Sequence, residues 1–385
     1  MEKVLADRSD VYFKRLLRSN ILALDSYSPG QMPAPEDAVF LNANENSFGT
    51  PPAILETLRD LLAGKPGLHR YPDITCSRLR DALSEKYRIS PERFIVGNGL
   101  DDIINMLALT FLEPDDEVLV PAATFALYSS SARMMGAAPV SVPMKSGLSI
   151  DTGAITDAVT SRTKMIFLCS PNNPTGTIIS RGEFEDLLEK LSFFPTRPLL
   201  IVDQAYAEFV DPGQDHADAA KYLEDHNNVA VLKTFSKMSG MAGLRAGYMI
   251  AHPNLISYMY RVRFPYTVNA LAQAAAETDA RDPSVGLFKE KIRAVIMETR
   301  AELENFLAES GIPFVPSQAN FVFAFYGMPH SELIGISQEL GQRGILVRVL
   351  KHEHAPCGIR FTVGTPEENI KLISALRDII EQRRD

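Results

Sequence analysis

From about Ser77 to Ala251 the chain alternates short apolar runs with amphipathic stretches. Apolar runs of four to eight residues between turn signals read as buried strands, and apolar positions three and four apart read as helices. On this basis strands are expected at Phe94–Gly97, Glu117–Val120, Pro139–Val142, Lys164–Cys169, Leu199–Val202, Val229–Leu232 and Gly247–Ile250. Helices are expected at Leu100–Phe111, Phe125–Met135, Arg181–Leu191 and Asn254–Arg261, with another from about Pro52 to Ala63. Such alternation predicts an α/β unit around a mostly parallel seven-stranded sheet flanked by helices. Ligands of such sheets sit at strand C-termini and helix N-termini.

After about Arg281 the pattern changes. One long amphipathic stretch, Val285 to Glu309, leads into Phe314–Phe325. Two short runs follow, Ile345–Val349 and Gly358–Thr362, and a last helix starts near Pro366 with Thr365 as its N-cap. This predicts a smaller α+β domain. Ahead of the alternating region, Val11 to Leu24 has helical apolar spacing, and Tyr27-Ser-Pro-Gly30 and Met32-Pro-Ala-Pro35 impose extended and turned backbone. The expected division is 1–45 as an N-terminal arm joined to the small domain, 46–280 as the large domain and 281–385 as the small one.

Composition narrows the classes. With 385 residues, 45% of them hydrophobic, a sizeable core is available. The net charge is −9, and no Lys/Arg block interleaved with aromatics occurs, which argues against nucleic acid as a partner. No apolar run is long enough to span a bilayer, and the N-terminus lacks a signal-peptide apolar core. Cys76, Cys169 and Cys357 are scattered without metal-ligand spacing. These features predict a cytoplasmic protein with reduced, structural cysteines and no metal.

The candidate chemistry falls at predicted strand ends. Thr234-Phe-Ser-Lys-Met-Ser-Gly-Met-Ala-Gly-Leu-Arg-Ala-Gly-Tyr248 puts Lys237 just past an apolar run, with Thr234, Ser236 and Arg245 around it. A lysine at such a place suits an imine with an aldehyde, and the hydroxyls and guanidinium suit a phosphate. An aldehyde beside a phosphate describes pyridoxal 5′-phosphate. A surface lysine would look the same in isolation. Gly97-Asn-Gly-Leu-Asp101 opens a helix whose Leu100 and Asp101 N–H groups can bind an anion, although most such turns are merely turns. Ser170-Pro-Asn-Asn-Pro-Thr-Gly176 fixes Asn173 between prolines, where its amide can donate to a phenolate oxygen.

Val202-Asp-Gln-Ala-Tyr206 places Asp203 in a buried strand end, which favours a cationic partner such as a pyridinium nitrogen. A helix cap or an ion pair is the plain alternative. Tyr206 can donate to the ring's oxygen, and Phe125 can stack on a flat ring or simply fill the core. Arg348 and Arg360, each within an apolar strand, require anions: a substrate carboxylate or phosphate, or a structural carboxylate. Leu41-Asn-Ala-Asn-Glu-Asn-Ser-Phe-Gly49 reads as a solvated polar loop.

Taken together, these stretches resemble the fold-type-I pyridoxal-phosphate aminotransferases, and more closely the histidinol-phosphate aminotransferase family. The resemblance runs from Tyr27 to the last helix. It is carried by Asn42-Ala-Asn-Glu-Asn46, Arg70-Tyr-Pro-Asp73, Gly97-Asn-Gly99, Pro171-Asn-Asn-Pro-Thr-Gly176, Asp203 with Tyr206, Ser236-Lys237 with Gly243-Leu-Arg245, Pro265-Tyr266 with Asn269, and Val347-Arg348 with Arg360. It implies that Lys237 is the Schiff-base lysine and proton carrier, and that Asp203 partners the pyridine nitrogen. Asn173 and Tyr206 match the donors to the phenolate, and Phe125 takes the stacking position. Leu100, Asp101, Ser236 and Arg245 match the phosphate binders, with Thr234 a further candidate.

By the same resemblance Tyr71 reaches the cofactor phosphate of a second copy, which implies a homodimer with shared active sites. Arg360 matches the main substrate anion site, and Arg348 and Tyr27 match positions that hold a substrate phosphate. The implied reaction transfers the amine of histidinol phosphate to 2-oxoglutarate, giving imidazole acetol phosphate and glutamate, with ping-pong kinetics. Gln204, Met238-Ser239 and Ser47 depart from common family residues. They leave the substrate open to two other readings, an aminotransferase of aromatic or other amino acids and a decarboxylase of an amino-acid phosphate; a reading from a different class is a non-catalytic pyridoxal-phosphate-binding regulator, against which the intact Lys237 speaks.

Overall fold

The computed structural model describes residues 12–22, 24, 37–64, 68–352 and 354–383. Two sheets organise it. The larger contains β2 (Phe94–Gly97), β3 (Glu117–Pro121), β4 (Ala138–Val142), β5 (Thr163–Cys169), β6 (Leu199–Asp203), β7 (Val229–Thr234) and β8 (Gly247–Ile250), in the order β2-β8-β7-β6-β5-β3-β4. All pairs are parallel except those of β8, which runs antiparallel to β2 and β7. Alternate residues leave a strand on opposite faces. Accordingly Ile166 and Leu168 of β5 join one buried cluster with Leu200, Val202, Val229 and Val231. Met165 and Phe167 join the other with Ile201, Ala230 and Leu232. Both faces are covered, so these strands are apolar throughout, as parallel strands under helices require.

The smaller sheet contains β1 (Val39–Leu41), β9 (Phe314–Val315), β10 (Phe321–Ala324), β11 (Ile345–Leu350) and β12 (Gly358–Thr362), in the order β1-β11-β12-β10-β9. Only β1 and β11 pair in parallel. β1 is too short to announce itself in the sequence: its three residues are all apolar, so the alternation seen in the fold, with only Phe40 exposed, is not written in the chain. The stretch expected to be helical from Val11 to Leu24 is helical over residues 12–16 and Ser19–Leu22, with a break between, among the described residues. The long helix is Pro283–Glu309, and its buried Ile292, Ile296, Leu303, Phe306 and Leu307 belong to the small-sheet core. Helices at Ser77–Tyr87, Thr152–Asp157, Ala270–Arg281 and His330–Gln342 complete the pattern.

The final helix, Pro366–Gln382, begins as expected. Thr365 Oγ1 accepts the Glu368 N–H at 3.3 Å, and Glu368 Oε2 accepts the Thr365 N–H at 2.8 Å, a reciprocal cap that satisfies two otherwise unpaired donors. No helix among the described residues is long and apolar enough to cross a membrane.

Candidate active site

The parallel register brings the C-terminal ends of β5, β6 and β7 side by side, with Cys169 opposite Asp203 and Asp203 opposite Leu232. Beyond these ends lies a cavity of about 590 Å³. Its wall includes Leu100, Asp101, Phe125, Asn173, Asp203, Tyr206, Thr234, Ser236, Lys237, Arg245, Arg348 and Arg360, so twelve of the fourteen residues singled out in the sequence converge there. Tyr71 does not. It is 80% exposed and stacks on Tyr266 with ring centroids 4.3 Å apart. Tyr27 lies outside the described residues.

Lys237 follows β7 by three residues. Its Nζ donates to the Ala43 carbonyl at 2.9 Å and lies 5.8 Å from the centre of the Tyr206 ring. Burial, and then the positive charge of Arg360, push its amine down to about 8. The loop behind it is tightly seated. Gly240 has φ of +61°, and a Cβ there would come within 2.3 Å of the Gly49 carbonyl oxygen, so only glycine fits.

Asp203 ends β6 and is buried. Its carboxylate accepts Tyr128 Oη at 2.6 Å and the Ala205 N–H at 2.9 Å. Burial lifts this carboxyl above the ordinary carboxylate range, and these two donors oppose the lift. Tyr206 Oη accepts from Asn44 Nδ2 at 3.0 Å, and burial pushes its hydroxyl up to about 12. Asn173 Oδ1 accepts from Arg360 Nη1 at 2.6 Å, and the Asn173 Nδ2 has no hydrogen-bond partner among the described residues. Arg360 also donates from Nη2 to the Asn42 carbonyl at 2.7 Å. Phe125 meets Tyr128 edge-on at 5.6 Å.

The end of the cavity expected to hold an anion is built on the helix Leu100–Phe111. Gly99, at its N-cap with φ of +78°, has the Arg245 guanidinium where a Cβ would stand. Arg245 Nη2 lies 3.2 Å from Asp101 Oδ2. Thr234 Oγ1 accepts the Ser236 N–H at 3.0 Å and faces the Ala246 carbonyl at 3.4 Å, so this hydroxyl shapes the loop as well as lining the cavity. Arg348 and Arg360 are directly opposed on β11 and β12, and Lys351 and His352 extend the same wall. Burial pushes the His352 imidazole down to about 4, so it is neutral at physiological pH.

Several site residues escape the sequence reading. Tyr128 lies on the helix Leu127–Met135, which starts two residues later than expected, and an aromatic at that place reads equally well as core. The polar loop after β1 is not simply solvated. The Asn42 and Ala43 carbonyls accept from Arg360 and Lys237, Asn44 Nδ2 donates to Tyr206 Oη, and Asn46 Nδ2 donates to the Met238 carbonyl at 2.9 Å. No pattern in one strand reports that it lies against another.

Pyridoxal phosphate suits these donors on physical grounds. The site offers an amine that is readily neutral, a buried carboxylate with no cation paired to it among the described residues, two orientable donors beside that carboxylate, and a helix N-terminus next to an arginine. Comparison with known proteins agrees. The chain matches the sequence model of the family described as aminotransferase class I and II over residues 36–376. The histidinol-phosphate aminotransferase of Symbiobacterium thermophilum is 38% identical over 341 residues, covering 89% of this chain and 90% of that protein. That of Moorella thermoacetica is 35% identical over 372 residues, covering 94% and 92%. The crystal structure of histidinol-phosphate aminotransferase from Sinorhizobium meliloti in complex with pyridoxal-5′-phosphate superposes with a TM-score of 0.85 at 24% identity, over 95% of this chain and 98% of that one, a likeness of fold. The residues gathered at the strand ends, the family match and these identities lead to one conclusion: the chain belongs to the class I and II aminotransferases, within their histidinol-phosphate aminotransferase family.

Proposed function

We propose that this protein transfers the amino group of histidinol phosphate to 2-oxoglutarate, giving imidazole acetol phosphate and glutamate, with pyridoxal phosphate as its cofactor. The observation that carries the reading is one cavity holding a lysine of pKa about 8, a buried carboxylate with no cation paired to it among the described residues, and two opposed arginines. When bound, pyridoxal phosphate supplies an aldehyde that condenses with amines and a ring that accepts the electron pair released at the substrate carbon.

The chain's own residues do the rest. Lys237 takes the proton from the amine-bearing carbon of the substrate and gives it back, a task suited to an amine poised near the working pH. Asp203 keeps a proton on the pyridine nitrogen, because a buried carboxylate without a counter-ion is stabilised by a cation. Tyr206 and the Asn173 Nδ2 donate to the ring oxygen, and Phe125 covers the ring. The Leu100 and Asp101 N–H groups, Ser236, Thr234 and Arg245 hold the cofactor phosphate. Arg360 receives the carboxylate of 2-oxoglutarate, and Arg348, aided by Tyr27, receives the phosphate of the amine donor. Tyr71 serves the cofactor phosphate of a second copy in a homodimer, which accounts for its exposure in the single chain. The division at 1–45, 46–280 and 281–385 and a cytoplasmic location belong to the same reading.

The test is a half-reaction on purified, cofactor-loaded protein. Histidinol phosphate, phenylalanine and threonine phosphate are added separately, and cofactor absorbance is followed. Rapid conversion with histidinol phosphate alone is expected. Conversion with phenylalanine but not histidinol phosphate would transfer the chain to the aromatic aminotransferases.

A further inference from the structure

Asn44 is completely buried, yet none of the steps above uses its side chain. It follows β1 with φ of +54°, a left-handed conformation that asparagine tolerates better than most residues. Its carbonyl accepts from Asn320 Nδ2 at 3.2 Å, and its N–H donates to Thr362 Oγ1 at 3.0 Å. With a lone pair engaged by that N–H, Thr362 Oγ1 gives its hydrogen to Asn44 Oδ1 at 3.2 Å. The amide is thereby oriented. Its oxygen faces Thr362 and its nitrogen faces Tyr206 Oη at 3.0 Å.

An amide nitrogen has two hydrogens to give and accepts none. Toward Asn44, then, Tyr206 Oη is an acceptor, and its own hydrogen points elsewhere. Asn44 is the hydroxyl's one hydrogen-bond partner among the described residues, and Tyr206 lines the cavity. Burial keeps this hydroxyl protonated to about 12, so the hydrogen is present at neutral pH.

We propose that Asn44 is a positioning residue that forces Tyr206 to donate into the cavity, onto the ring oxygen of pyridoxal phosphate. The inference deepens the cofactor reading above and rests on it. Thr362 ends β12 and Asn320 precedes β10 in the small sheet, whereas Tyr206 follows β6 in the large one. A contact between the two sheets thus fixes the direction of a single proton.

The readout is the pH at which the bound cofactor changes absorbance. A donor on the ring oxygen stabilises the deprotonated form, which carries more negative charge there, so losing the donor raises the midpoint. Asn44→Asp offers Tyr206 an acceptor in place of a donor and turns its hydrogen away from the ring. Its midpoint should rise by about one pH unit, the worth of one hydrogen bond, as should that of Tyr206→Phe. The double variant should shift no further than Tyr206→Phe alone; a larger shift would mark the added charge instead and would count against the proposal.

Thr362→Val leaves Asn44 in place but frees its amide to flip, so part of the rise is expected, and this variant decides the question if Asn44→Asp does not fold. Wild-type midpoints in both Asn44→Asp and Thr362→Val, or in Tyr206→Phe itself, would overturn the inference. A wild-type protein that takes up no pyridoxal phosphate would overturn the cofactor reading beneath it, an outcome visible before any variant is made.

Discussion

Lys237 and Lys289 are both drawn in from solvent, and their amines have moved in opposite directions. Burial alone would push each one down. Lys289 Nζ lies 2.8 Å from Asp279 Oδ1 and 3.2 Å from Glu208 Oε1, and these two carboxylates outweigh burial and hold the amine above its ordinary range. Lys237 meets a carbonyl oxygen, and its strong neighbour is the like-charged Arg360, so the amine falls to about 8. Desolvation is common to both sites. The sign of the neighbouring charge decides whether a half-buried lysine ties elements together or is free to exchange a proton.

The largest effect should come from Lys237→Ala. Loss of the amine should lower the half-reaction rate by at least about a thousandfold, read as single-turnover absorbance, while the fold is retained. A variant that turned over near the wild-type rate would remove the mechanism. Lys289→Ala should do the converse. It strands Asp279, whose side chain is 1% exposed, without its cation, and should cost about 3–5 kcal/mol of stability in denaturant unfolding. Turnover per folded molecule should stay at the wild-type level, and a loss of turnover matching Lys237→Ala would erase the contrast between the two lysines.

Arg348→Ala comes next. Removing one charge-assisted contact should weaken use of histidinol phosphate by roughly 10- to 100-fold in kcat/KM, and use of glutamate far less. Equal losses for both substrates would give Arg348 a structural role. The smallest effect is a pair of opposed pH slopes in cofactor-free protein. Lys237 has a folded pKa below its unfolded value of roughly 10.4, so its burial penalty is full below about 8 and fades as pH rises to 10.4. Lys289 has a folded pKa above the unfolded one, so its contribution is full below roughly 10.4 and is lost above it. Thermal unfolding of Lys237→Met and Lys289→Met against wild type should therefore show a gain that shrinks between pH 8 and 10.4 for the first. For the second it should show a loss that shrinks only above that range. Parallel slopes would contradict the assignment of neighbours.

Much of this could be read along the chain. The strands from Phe94–Gly97 to Gly247–Ile250 fall within a residue or two of their expected ends, because buried parallel strands are continuous apolar runs bounded by turn residues. Lys237, Asp203 and Asn173 could be singled out because a polar residue closing such a run is conspicuous. Tyr128 could not, since an aromatic on a helix beside a strand has the same look whether its hydroxyl meets a carboxylate or nothing.

What the sequence determines here is local and periodic: which stretches are strands or helices, where each ends, and which chemical groups stand at those ends. Periodicity and capping depend on neighbours within a turn or two, so they survive in one dimension. What only the tertiary structure decides is which groups meet. β1 joins β11 across some three hundred residues, and with it the Asn42–Asn46 loop comes to rest under Arg360, Lys237 and Tyr206. The same assembly leaves Lys237 without an ion-paired carboxylate among the described residues and gives Lys289 two. A pKa, an amide's orientation and the direction of a hydroxyl hydrogen depend on atoms a few ångströms away in space, and chain order does not encode that distance.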